Sequence, residues 1–152
     1  MQEHEFQGLP PDALQLADQL RPVILRLYRR LRQETKVLGI TSAQIALMAA
    51  IARSPGIGLS ELAALQEMAT PSLSGHVDRC EKAGLLERRR QETGDRRRVG
   101  LTLTAAGHDL LQEVRAQRTA WLALRLAEFD EGARMAIVSA LGPLSELSGH
   151  RP

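Results

Sequence analysis

Apolar residues recur at helical spacing along most of the chain. In the first long segment they fall at Leu16, Leu20, Ile24, Leu27 and Leu31, a pattern that predicts an amphipathic helix. Val23, Leu25 and Tyr28 widen this stripe beyond what one core face needs. Asp12, after Pro10-Pro11, is the expected N-cap. Pro22 predicts a kink or break, and Gly39 should end the segment. Thr41-Ser42-Ala43-Gln44 reads as a capping box. The helix it opens, over 42–53, is mostly apolar and is therefore expected to be central and buried.

The next two helices are short. Ser60 is the expected cap of one over 61–68, with Leu62 and Leu65 inward. Thr70-Pro71 opens the other as a cap followed by Pro at the first helical position. Leu73, Val77, Cys80 and Gly84 share one face, while Ser72, Gly75, Arg79 and Lys82 share the opposite one. Two short helices around a tight turn, the second with a polar and basic outer face, make a helix-turn-helix. Segments 86–92 and 98–103 then flank Thr93-Gly94-Asp95. Val99, Leu101 and Leu103 alternate with Gly100 and Thr102, which predicts a half-buried strand and hence a hairpin. A helix-turn-helix followed by such a hairpin is a winged helix. Thr104 should cap a long helix to about residue 128, and a last helix should cover 131–147. The predicted fold is mainly α with a small β-hairpin wing.

The length, 152 residues, suits one domain with a real core. At 43% hydrophobic and 25% charged residues, wholesale disorder is excluded. A single Cys excludes an intramolecular disulfide framework. The longest apolar run, 45–52, is too short to span a bilayer. The first residues carry Glu3 and Glu5 with no basic segment before an apolar stretch, so a cytoplasmic protein is expected. Net charge is only +2, but it is uneven. Residues 21–36 hold six basic side chains against one acid, and 85–98 hold six Arg against three acids. Local Arg clusters on a mildly charged chain point to a localised polyanion site.

Two stretches resemble the MarR family of winged-helix transcriptional regulators. They are Val77-Asp78-Arg79-Cys80-Glu81-Lys82-Ala83-Gly84-Leu85-Leu86-Glu87-Arg88 and Asp95-Arg96-Arg97-Arg98-Val99-Gly100-Leu101-Thr102-Leu103-Thr104-Ala105-Ala106-Gly107. The resemblance extends over essentially the whole chain. It implies a homodimer whose first and last helices intertwine, and recognition helices that enter successive major grooves of double-stranded DNA. An inverted-repeat operator follows from that symmetry. On this reading 41–103 is the DNA-binding region, and 12–38 with 104–148 are the dimerisation helices. The excess apolar surface of the terminal helices agrees, because a partner would cover it.

The resemblance implies that Arg97 is the wing-tip arginine entering the minor groove, where a narrow groove concentrates negative potential. It makes Asp95 the acid that ties down the wing. An exposed hairpin Arg can equally be solvated, and an Asp in a turn can cap its own backbone. Arg96 and Arg98 are expected at phosphates or in solvent. On the recognition helix, Ser72, Ser74, Gly75 and Arg79 are the candidates for DNA contact. Gly75 departs from the family, which often carries a long polar or basic residue there. His76 flanks the buried face and is read as packing, with base contact the competing reading. Of Arg88, Arg89 and Arg90, one or two are expected at phosphates, Arg88 foremost.

Cys80 invites a redox reading, but it stands on the inward face, and a buried thiol is a small hydrophobe with lowered reactivity. The family's peroxide sensors carry their cysteine in the first helix, where this chain has none. His4, His76, His108 and His150 show no metal-ligand spacing beyond His76 and Cys80, so no metal or cofactor is expected. No phosphate loop, nucleophile elbow or paired-carboxylate setting argues for an enzyme. Tyr28 and Trp121 sit on helices that border the family's effector cleft, where small phenolic or lipophilic molecules bind; dimer-core packing is the competing reading. The function expected is a ligand-responsive dimeric DNA-binding repressor. The alternative is a winged-helix protein-interaction module that does not read DNA.

Overall fold

The computed structural model describes residues 9–90 and 99–149. The first helix, α1 (Pro11–Glu34), runs unbroken through Pro22. Pro10 rather than Asp12 occupies its N-cap position, and Asp12 lies in the first turn, where its charge complements the helix dipole. A single 3-10 turn over Lys36–Leu38 follows, so α1 ends before Gly39. Gly39 closes that turn with φ 67, a left-handed conformation open to glycine without a Cβ penalty. Helix α2 (Ser42–Arg53) then starts on the expected capping box. Thr41 N–H donates to Gln44 Oε1 at 3.0 Å, and Gln44 N–H donates to Thr41 Oγ1 at 3.2 Å. Ile45, Leu47, Met48, Ala50 and Ile51 are buried, so α2 is the central helix.

Helix α3 (Leu59–Leu65) begins from Gly58, and α4 (Thr70–Lys82) from Ala69. Neither Ser60 nor Thr70 is the cap, and neither start has a side-chain cap bond. Between the two helices Glu67 takes φ 49, which for a residue with a Cβ costs about 1 kcal/mol. That left-handed step lets Met68 N–H reach back to Ala63 C=O at 3.0 Å and tightens the turn.

Strands β1 (Leu86–Arg90) and β2 (Val99–Leu103) pair antiparallel, Leu86 opposite Leu103 and Arg90 opposite Val99. The α2–α3 connection joins this sheet. Gly56 N–H donates to Leu101 C=O at 2.8 Å, and Leu101 N–H to Ile57 C=O at 2.9 Å. Gly100 lies so close to Gly56 that any Cβ there would strike its backbone. The simple alternation expected of β2 is therefore broken, with Gly100 and Leu101 both buried. Helix α5 (Ala105–Ala127) starts at Thr104, whose Oγ1 accepts from Gly107 N–H at 3.1 Å. Helix α6 (Glu131–Leu147) starts at Asp130, whose Oδ1 accepts from Ala133 N–H at 2.7 Å.

The core is drawn from α2, α3, α4, the hairpin and the first half of α5. Helices α1 and α6 bury none of their residues. Among the described residues, no single helix is long and apolar enough to cross a membrane.

Candidate nucleic-acid interface

Helix α4 is held by Leu73, Val77 and Cys80, all buried between α2 and α3. Their spacing of three to four residues turns the other face outward. Ser72, Arg79 and Lys82 are exposed there, and Ser74, Gly75 and His76 are half-buried. The polar, basic outer face expected of a recognition helix is present.

Arg79 does not extend freely from that face. Its Nη2 donates to Nδ1 of His76 at 2.9 Å. Arg has no acceptor, so in this pair the guanidinium donates and Nδ1 of His76 accepts. A Cβ at Gly75 would stand 3.6 Å from Nη1 of Arg79. The guanidinium thus folds back along the helix over Gly75 and His76, and His76 is a polar partner as well as a packing residue.

Arg88, on β1, faces α4. Its Nη2 donates to Asp78 Oδ1 at 2.7 Å and its Nη1 to Glu81 Oε2 at 2.6 Å. The guanidinium is therefore committed to two carboxylates of the recognition helix. Sequence reasoning missed Asp78 and Glu81 as partners because they stand ten and seven residues away from Arg88 in the chain. Arg89 pairs with Glu87 on its own strand at 2.6 Å.

The Leu103-Thr104-x-x-Gly107 stretch joins the wing to α4. Thr104 Oγ1 donates to Gly84 C=O at 2.6 Å, and Thr104 N–H donates to Leu85 C=O at 3.2 Å. Gly107 is buried with its Cα against the same Leu85 carbonyl, where a Cβ would collide. One Thr and one Gly thus lock the start of α5, the end of α4 and the base of the hairpin together.

Cys80 is fully buried. Burial pushes its thiol pKa up; a hydrogen bond with Gln44 and the charge of Arg79 pull the other way without overcoming it. That is the environment of an inert thiol. Among the described residues no cluster of His, Cys, Asp and Glu could hold a metal ion; His4 and His150 lie outside them. Asp95, Arg96, Arg97 and Arg98 also lie outside the described residues.

Tyr28 is half-exposed beneath Arg32, 5.7 Å from guanidinium carbon to ring centre. Trp121 lies between Arg30 and Arg125, each 5.9 Å from its ring. Trp121 borders a shallow groove of about 350 Å³ with Val37, Gln117 and Leu124, and Tyr28 does not line it.

Comparison with known proteins agrees with this geometry. Residues 38–98 match the model of the MarR family. The chain is 28% identical over 112 residues to the HTH-type transcriptional repressor MdtR of Bacillus subtilis, covering 74% of this chain and 72% of that protein. A transcriptional regulator structure from Pseudomonas aeruginosa superposes with a TM-score of 0.80 at 30% identity, covering 94% of this chain and all of that one. A variant of S. aureus MepR bound to an oligodeoxyribonucleotide shares the fold, with a TM-score of 0.68 at 18% identity and coverage of 87% and 97%. A recognition helix braced by the hairpin, together with these matches, makes the chain a member of the MarR family of DNA-binding transcriptional regulators.

Proposed function

We propose that this regulator works as a ligand-responsive homodimeric repressor that binds an inverted-repeat operator. The observation that carries the dimer is the exposed apolar surface of α1 and α6. Leu16, Ile24 and Leu27 on α1 and Val138, Leu141 and Leu147 on α6 are between 45% and 74% exposed. Large apolar side chains left exposed along two helices are costly in water and are relieved by a second copy. Residues 12–38 and 104–148 then act as dimerisation helices around a DNA-binding region at 41–103. A two-fold axis places two α4 helices roughly one DNA turn apart.

Within each half-site, Ser72, Ser74 and the backbone at Gly75 meet the major groove, and Arg79 leaves His76 to reach a base edge. Arg97, positioned by Asp95 and flanked by Arg96, enters the minor groove. Arg88 works through its two carboxylates, setting the hairpin against α4. The repressor role is supported by the name of the relative MdtR, and DNA binding by the oligodeoxyribonucleotide on the MepR variant. An effector that prefers a dimer with a different α4 spacing lowers DNA affinity by its differential affinity for the two states.

The test is fluorescence anisotropy against the duplex upstream of the protein's own gene and a scrambled duplex, at two salt concentrations, with sedimentation measured alongside. A dimer that binds the first duplex selectively and loses affinity steeply with salt supports the proposal. A monomer, or equal binding to both duplexes, contradicts it. Absence of binding at low salt favours an interaction module.

A further inference from the structure

Two arginines of the candidate interface are held in different ways. Arg88 takes two carboxylates of α4, Asp78 at 2.7 Å and Glu81 at 2.6 Å. Arg79, exposed on that same helix, forms no ion pair among the described residues. Its guanidinium is held by one hydrogen bond, from Nη2 to Nδ1 of His76 at 2.9 Å. One imidazole nitrogen is a weaker partner for a guanidinium than a pair of carboxylates. Of the two arginines, Arg79 is therefore the one that exchanges its partner readily.

The same bond shows which way His76 faces. The residue is half-buried on the shoulder of the apolar row Leu73, Val77 and Cys80. Its Nδ1 nevertheless meets an exposed guanidinium and not the core. Ser72, His76 and Arg79 follow one another at spacings of four and three residues, so they form one row along α4.

In the major groove a guanine presents two acceptors, O6 and N7, to one guanidinium. Two such bonds outweigh the single bond to His76, so the exchange favours guanine. It also leaves Nδ1 of His76 without its donor. An unpaired acceptor in an interface closed to water is costly. The donors of the major groove are the amino groups on N4 of cytosine and N6 of adenine. Three residues of helix advance about 4.5 Å, against a rise of about 3.4 Å per base pair. His76 and Arg79 thus address the same base pair or adjacent ones.

We propose that His76 is a specificity-determining residue of the DNA interface: as Arg79 passes to a guanine, Nδ1 of His76 accepts from the amino group of a cytosine or adenine in the same or the next base pair. The proposal deepens the DNA-reading role given to α4 above and rests on it. In the free protein the two side chains satisfy each other, and on the operator each takes a base instead. The two contacts are therefore coupled. Nδ1 is free for a base only when Arg79 has left, and Arg79 leaves at little cost only where His76 finds a donor. Losses at the two base positions should not multiply.

The test begins with selection of binding sites from a pool of random duplexes by the full-length wild-type chain. Anisotropy then follows on the selected duplex, with 7-deazaguanine in place of the guanine, with the amino-bearing base replaced by its analogue lacking the amino group, and with both changes. Each single change should weaken wild-type binding about tenfold, and the two together by little more than one. His76→Leu should become indifferent to the amino group, and Arg79→Gln to the deaza substitution. His76→Asn, which keeps an acceptor oxygen, should retain the amino-group preference. The analogue series uses the wild-type chain, so it decides the matter even where Leu disturbs α4. Wild-type binding that ignores the amino group, a His76→Leu variant as sensitive to it as the wild type, or losses that multiply would overturn the proposal. A guanine preference that depends on Arg79 would then still stand, and the reading of α4 with it. Selection of no sequence at all, or a guanine preference untouched in Arg79→Gln, overturns that reading together with this proposal.

Discussion

Arg88 on the hairpin donates a hydrogen bond to Asp78 on the recognition helix across 2.7 Å. With the second bond to Glu81, Arg88 bridges the hairpin and α4, the two elements of the proposed DNA interface. Exposed ion pairs contribute little stability, about 0–1 kcal/mol each. The bridge ties β1 to α4 and places a cation beside two acids, which in the proposed interface would otherwise repel phosphates.

Arg88→Gln should accordingly weaken operator binding, by roughly tenfold if the repulsion of two freed carboxylates approaches 1.4 kcal/mol. A side chain that neutralises a phosphate lowers the salt slope by about one when removed. Arg88 should not do this, because its donors are already committed to carboxylates. Anisotropy over a range of salt concentrations separates the two roles. A slope reduced by one would mean that Arg88 leaves Asp78 and Glu81 to contact DNA directly.

The Thr104–Gly107 lock gives a prediction about stability. Gly107→Ala must push Leu85 or α5 aside, and overpacking of this kind costs about 1–3 kcal/mol, here expected at the upper end because the obstacle is backbone. Thr104→Ala removes a helix cap and the bond to Gly84, for a loss of about 1–2 kcal/mol. Urea denaturation of both variants measures these losses. A Gly107→Ala variant as stable as the wild type would mean that α5 moves without penalty.

How much of this was legible in the sequence depends on the range of the interaction. The capping box at Thr41 and Gln44, the cap at Thr104 and the bounds of α2 and α6 were all predicted, because each is a contact within three or four residues. The starts of α3 and α4 were misread. Ser60 and Thr70 are good capping residues, but the helices begin one or two residues earlier, from Gly58 and Ala69. The bridge from Ile57 to Leu101 has no local signal, since it depends on how the hairpin folds back onto the α2–α3 connection. Arg88 was recognisable as part of a basic cluster, but its carboxylate partners lie on another element. The Arg-rich run over 21–36 was visible as charge. Its ion pairs, Arg21 with Asp18 and Arg30 with Glu34, are three and four residues apart within α1 and so belong to the local contacts.

Gly75 offers a test of how closely the recognition helix approaches DNA. A Cβ there meets only Arg79 at an ordinary contact distance. Gly75→Ala should therefore fit the free protein and stabilise α4 by about 0.5–1 kcal/mol, the usual helix-propensity difference. If the backbone at this position lies against the major groove, the same methyl group should weaken operator binding several-fold. Thermal denaturation and anisotropy on one preparation read the two effects. Higher stability with undiminished DNA affinity would remove Gly75 from the interface.

The buried thiol of Cys80 gives a pH dependence with a definite sign. Burial raises its pKa in the folded chain above that of the unfolded chain. Between those two values the native state holds a proton that the unfolded state has lost, so stability falls as pH rises. The contribution is complete below the unfolded thiol's pKa, near 8.5, and is lost as pH climbs through it toward the raised native value. Urea midpoints at about pH 7.5 and pH 9.5 should therefore fall further for the wild type than for Cys80→Ala, although the variant starts lower because a core side chain has been shortened. The native thiol should also react slowly with a disulfide reagent at neutral pH and rapidly in denaturant, since the thiolate is the nucleophile and this thiol is both protonated and enclosed. Rapid reaction of the folded protein, or parallel loss of stability in both chains, would show that Cys80 is reached by solvent and would reopen a redox role for it.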